Sequence, residues 1–190
     1  MLRELGLAFK IIDKNQLEDF NAINPVGSVP VLVDGDKVLT EGAAIILYLL
    51  KTHPNTLLPE QGDAQQKAVQ DIMFANATVH PAYSKLFFIA QHISDENAKQ
   101  EAFNAAANSI TQLWSVVENA LTDKKFLGGD GPSAADIMLT VYSRWGAFFP
   151  VDIIIGERTN AMLAAVQAMP SFEQSVQAEL QASAQQVSEK

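Results

Sequence analysis

The spacing of apolar residues changes once along this chain, near residue 60. Before that point the apolar runs are short and mixed in period. Leu2 to Leu7 is amphipathic, Phe9-Lys10-Ile11-Ile12-Asp13 reads as a strand, and Gln16 to Ala22 reads as a polar helical stretch. Val29 to Val33 and Lys37 to Thr40 are apolar or β-branched runs separated by Asp34-Gly35-Asp36. Glycine there supplies the positive φ that a tight hairpin needs. Ala43 to Leu50 reads as a buried helix, ended by Lys51, His53 and Pro54, a cationic last turn followed by a breaker.

From residue 63 onward the period is helical throughout. Ala68, Ile72, Ala75, Val79, Tyr83, Leu86 and Ala90 recur at steps of three and four, with Pro81 inside the run predicting a kink or break. Phe103, Ala107, Ile110, Trp114, Val117 and Leu121 repeat the pattern. Ser133-Ala134-Ala135-Asp136 carries the two ends of a capping box, with Asp in place of the usual Glu or Gln, and the apolar run Ile137 to Phe149 follows. Shorter helices are predicted over Glu157 to Ala168 and Ser171 to Gln181, and the polar Ser183 to Lys190 is expected to fray. The pattern therefore predicts a mixed α/β domain followed by an all-α domain.

Composition narrows the function. The 190 residues are 48% hydrophobic and 18% charged, within the range of globular proteins. A net charge of −9 repels phosphate backbones and sets nucleic acid aside as a partner. Absence of cysteine excludes disulfides, thiolate metal sites and a cysteine nucleophile within these residues. Three histidines and scattered carboxylates offer no metal-ligand spacing, so no metal is expected. No secretory leader opens the chain and no apolar run is long enough to span a bilayer, which predicts a cytoplasmic protein without membrane association.

Two segments carry candidate chemistry. In Asn24-Pro25-Val26-Gly27-Ser28-Val29-Pro30-Val31, a proline entering a strand must lie at an edge, at a bulge, or in a cis bond that turns the Val29 amide outward. An outward amide and carbonyl grip an extended peptide; a plain loop proline leading into an edge strand is the alternative. In Thr40-Glu41-Gly42-Ala43-Ala44-Ile45, free N–H groups at a strand-to-helix junction suit a carboxylate, and Glu41 suits an ammonium. Together they would hold an amino-acid zwitterion. Alternatively, Glu41 only complements the helix dipole and Gly42 only eases packing.

In order and spacing these motifs, the hairpin between them and the later Ser133-Ala134-Ala135-Asp136 resemble the glutathione transferases, most closely the bacterial beta class. The resemblance implies a truncated α/β thioredoxin-like domain over residues 1–56 and an all-helical domain over 63–190. It implies glutathione as cosubstrate, conjugated through its thiolate to an electrophilic hydrophobic acceptor in detoxification, and a homodimer. It places the cysteinyl backbone of glutathione on Val29, ahead of cis-Pro30, and the γ-glutamyl end at Glu41 and Gly42. His80 resembles a histidine that approaches the thiol, although Pro81 stands where the family often has Lys; on the residues alone it reads as a capping or surface group. Tyr83, Arg144, Trp145, Phe148 and Phe149 are candidates to line an acceptor pocket, against a plainer role in the core. Ser133 and Asp136 resemble a folding motif and are assigned to stability.

The beginning departs from the family. Family members open with a strand and a loop bearing the Tyr, Ser or Cys that hydrogen-bonds the thiol, whereas Met1 to Leu7 resembles the end of the helix after it. The catalytic hydroxyl or thiol is accordingly expected in a preceding segment, and Tyr48, Tyr83 and Tyr142 are not assigned to its role. In the family that strand lies between the run at Phe9 to Asp13 and the one at Val29 to Val33. Either the strand precedes a misplaced start, or the first domain is expected to rearrange, for instance by borrowing a strand from a partner chain. The alternative function is a transferase-like binding or dimerisation module without catalytic activity.

Overall fold

Residues 1–188 are described in a computed structural model. The chain divides into two units, Met1–Asn55 and Thr56–Lys190.

In the first unit, β1 (Val31–Asp34) and β2 (Lys37–Thr40) pair antiparallel with Val31 opposite Thr40 and Asp34 opposite Lys37. Gly35, at φ 61°, makes the two-residue turn possible. The α2 helix (Gly42–Thr52) buries Ala43, Ile45, Leu49 and Leu50. Tyr48 on that helix donates from its hydroxyl to Asp34 Oδ2 at 2.8 Å and lies under the Lys37 ammonium, which ties the helix to the hairpin ends.

Two expectations for this unit are corrected. The stretch predicted as one helix over Gln16 to Ala22 is a 3₁₀ turn, Lys14–Gln16, and a single-turn α1 (Phe20–Ile23). Asp13 accepts from the Asn15 N–H and Asp19 from the Ala22 N–H, so each aspartate starts its own turn and the helix cannot run through. Phe9 to Asp13 is not a strand, because no segment among the described residues pairs with it. Ile11 and Ile12 remain 73% and 51% exposed.

In the second unit, α3 (Gly62–Phe74) passes through a wide π turn, Ala75–Val79, into α4 (His80–His92). Pro81 is the reason: it has no N–H to donate, and its ring crowds the carbonyl four residues back. The turn widens by one residue and the helical path continues rather than breaking. The 25-residue α5 (Glu96–Ala120) begins at Asp95, whose carboxylate accepts from the Ala98 N–H. It buries Phe103, Ala107, Ile110, Trp114 and Val117, the stripe the sequence shows. Trp114 Nε1–H donates to Tyr83 Oη at 2.9 Å and locks α5 to α4.

The α6 helix (Ala134–Ser143) opens with the capping box formed in both directions by Ser133 and Asp136. A 3₁₀ segment, Arg144–Phe148, ends its apolar run. Beyond lie α7 (Glu157–Gln167) and α8 (Pro170–Ser188). The last helix is longer than predicted, and the fraying expected at residues 189–190 lies outside the described residues.

Candidate functional site

The first-unit candidate is built around Asn24, which is 3% exposed although polar. Its Nδ2 donates to the Ser28 carbonyl at 2.7 Å and its Oδ1 accepts from the Val26 N–H at 3.2 Å. These bonds hold the Pro25–Gly27 turn and deliver the chain to a cis Val29–Pro30 peptide bond. Val29 is 62% exposed, and its N–H and C=O have no hydrogen-bond partner among the described residues. A peptide backbone could pair with them.

Glu41 immediately precedes α2 and has φ 68°, the one positive φ outside glycine among the described residues. Its carbonyl accepts from the Ile45 N–H, but its side chain makes no capping bond to the helix-start amides. A strained, exposed carboxylate beside the free N–H groups of Gly42 and Ala43 sets a negative group next to a positive helix end. That is the pair of charges a zwitterion needs. The motif was readable in the sequence; the strained φ was not, because nothing in residue type foretells it at a glutamate.

In the second unit, the side chains around His80 form an aromatic cluster. The imidazole stands edge-on to Tyr142, with centroids 5.2 Å apart, and to Trp145 at 5.3 Å. Trp145 in turn meets Phe87 at 5.8 Å, and Phe87 meets Phe149 at 4.8 Å. Phe87 and Tyr142 were not singled out from the sequence, where their spacing reads simply as core.

The acceptor-pocket candidates fare unequally. Trp145 is half-buried in the cluster, and Phe148 is 70% exposed at the end of the 3₁₀ segment. Arg144 is committed elsewhere: its guanidinium pairs with Glu179 at 3.2 Å and covers the Phe172 ring. Tyr83 is corrected from a lining residue to a core residue. It has no exposed surface, because helical spacing turns it inward, and its hydroxyl is occupied by Trp114. Burial pushes the Tyr83 phenol up to about 12, against the smaller opposing effect of the Trp114 hydrogen bond, and burial likewise raises Tyr142. Neither phenol ionises near neutral pH.

Among the described residues no group of side chains is arranged to hold a metal ion, and no helix is long and apolar enough to cross a membrane.

Comparison with known proteins decides the family. Residues 1–57 match the N-terminal domain of glutathione S-transferases and residues 78–169 match their C-terminal domain. This chain belongs to the glutathione S-transferase family. The glutathione S-transferase GST-4.5 of Xanthomonas campestris is 33% identical over 71% of this chain and 67% of its own length. Among solved structures, the glutathione S-transferase of Xylella fastidiosa superimposes with a TM-score of 0.83 at 28% identity, covering 94% of this chain and 90% of that one. A sphingomonad glutathione S-transferase solved with glutathione gives 0.80 at 30% identity over the same shares. The small hairpin-and-helix unit and the helical unit are therefore those of a glutathione transferase.

Proposed function

We propose that this protein is a glutathione transferase that adds the thiolate of glutathione to electrophilic, largely apolar acceptors. The observation that carries the reading is Glu41, a strained carboxylate held without an internal partner beside the start of α2. Backbone strain of this kind persists where the surrounding structure uses it. In this reading the γ-glutamyl ammonium meets Glu41, its carboxylate meets the Gly42 amide, and the cysteinyl N–H and C=O pair with Val29 beside Pro30.

The thiol first gives its proton to solvent; the thiolate sulfur then bonds to the acceptor carbon, which either releases a leaving group with its bonding pair or, in an activated double bond, passes the pair to a neighbouring carbon that takes a proton from solvent. Catalysis needs the thiol lowered from its ordinary value of about 8.5. Tyr83 has no exposed surface and its hydroxyl is engaged by Trp114, and the Tyr48 hydroxyl is donated to Asp34, so neither is placed to hydrogen-bond the thiol. His80 is assigned an auxiliary part near the thiol. Trp145 and Phe148, with Tyr83 packed edge-on against Trp145, give the acceptor an aromatic surface. The same reading makes the protein a cytoplasmic homodimer serving detoxification.

The test is a calorimetric titration with glutathione. Glu41→Ala should weaken binding about tenfold, the worth of one charge-assisted hydrogen bond. An unchanged affinity would remove the zwitterion site and this reading with it.

A further inference from the structure

The helical path from α3 into α4 carries one residue more than a regular helix would place between its anchors. The His80 N–H donates to the Ala75 carbonyl, five residues back instead of four. Neither half can rotate to absorb the difference: α3 packs on α6 and α4 on α5, and Ile72, Ala75, Tyr83 and Leu86 are all buried. The wide turn costs the helix one regular hydrogen bond wherever it sits. At Pro81 there is no N–H to lose, so the turn is least costly directly ahead of it. Pro81 itself is exposed, and its influence runs through the backbone.

His80 is the residue that this turn delivers. Its carbonyl accepts a further bond from the Ser84 Oγ–H at 3.0 Å. Its imidazole packs edge-on to Tyr142 on α6 and to Trp145 just beyond, with centroids 5.2 and 5.3 Å apart. Moving the extra residue to the other side of His80 would swing that side chain by about 100°, one residue's share of a 3.6-residue turn. On a helix about 10–12 Å across, the ring would travel roughly 8 Å, farther than its 5.2 Å distance from Tyr142. The imidazole would leave the cluster.

We propose that Pro81 is a positioning residue: it pins the wide turn immediately ahead of His80, and the pinned turn keeps the imidazole against Tyr142 and Trp145. The effect on the reaction rests on the auxiliary part given to His80 under Proposed function. Pro81 then acts on turnover through His80, by holding the imidazole at a fixed angle, and leaves the affinity for glutathione alone.

The experiment reads the imidazole by nuclear magnetic resonance of the histidine-labelled 190-residue protein. The carbon-bound ring protons of His80, identified by their loss in His80→Gln, should be displaced from their positions in the urea-unfolded chain by the ring currents of Tyr142 and Trp145. Pro81→Ala should remove most of that displacement. Deleting Ala77, an exposed residue of the wide turn, from the Pro81→Ala chain should restore it, because the helix is then regular and both halves keep their register. A displacement retained in Pro81→Ala overturns the proposal, and so does a deletion that fails to restore it. If Pro81→Ala does not fold, the doubly changed chain decides by the same signal. With a nitro-activated aryl chloride as acceptor, Pro81→Ala should lower kcat about tenfold, leave the glutathione KM within about twofold, and have no further effect in the His80→Gln chain. A loss of turnover that persists without His80 also overturns the proposal. Unchanged turnover in His80→Gln would remove the auxiliary part of His80 under Proposed function, a separate failure, and the ring signals would still decide what Pro81 does.

Discussion

Asp136 is completely buried, and its two oxygens accept from the Leu127 N–H at 2.9 Å and from the Ser133 N–H and Oγ–H at 2.7 Å each. Ser133 returns one long bond to the Asp136 N–H, at 3.4 Å. The two ends of the capping box are thus unequal. Ser133→Ala should cost about 1 kcal/mol, the ordinary worth of a helix cap. Asp136→Ala should cost about 3 kcal/mol or more, because two buried backbone donors lose their acceptor. Urea unfolding of both variants checks this, and equal costs would show that the Leu127 bond contributes nothing. The cap itself was legible in the motif. Its second duty was not, because Leu127 lies nine residues away in the chain and only the fold brings it to the carboxylate.

Glu118 shows the same logic between elements. It sits near the end of α5, and its carboxylate accepts from the Thr159 N–H and Oγ–H, both at 2.8 Å, and from the Arg158 N–H at 3.2 Å. It therefore caps α7, whose own N-cap is Gly156 and has no side chain to do so. A methyl group at Gly156 would collide with that carboxylate, so the glycine is needed for room and not for its φ. Burial alone would raise the Glu118 carboxyl, but the bonds from Thr159 and Arg158 and the Arg158 charge outweigh it and hold the group below its ordinary 4.5. A depressed folded value means that the contribution is present above pH 4.5 and lost as pH falls through the lower folded value. Glu118→Gln should therefore flatten the acid loss of stability below that pH, as read by urea unfolding between pH 3 and 6. An unchanged acid limb would show that the docking of α7 does not depend on this charge.

Helices and hairpin were legible in the sequence because each is specified locally, by period, cap or turn residue. The run Phe9 to Asp13 differs for the opposite reason: its residues favour extended backbone, but a strand also needs a neighbour, which local sequence does not specify. Pro81 announced a disturbance; whether the chain breaks or widens by one residue depended on the packing of Ile72, Val79 and Tyr83, all of them fully buried.

Over the whole molecule, burial is uneven. Before Ala43 the only buried residue is Asn24, whereas α5 and α6 between them bury Phe103, Ile110, Trp114, Met138 and Leu139. Local opening free energy follows buried contacts, so amide hydrogen exchange should be fastest across residues 1–40 and slowest in α5 and α6. Amides of β1 exchanging as slowly as those of α5 would contradict that distribution.

The two tryptophans add a practical consequence. Trp114, 1% exposed and hydrogen-bonded to Tyr83, and Trp145, half-buried beside the His80 imidazole, both belong to the helical unit. The first unit contains Tyr48 and no indole. Intrinsic tryptophan emission thus originates in the helical unit alone. Trp114 reports the interior of that unit and Trp145 the surroundings of its aromatic cluster.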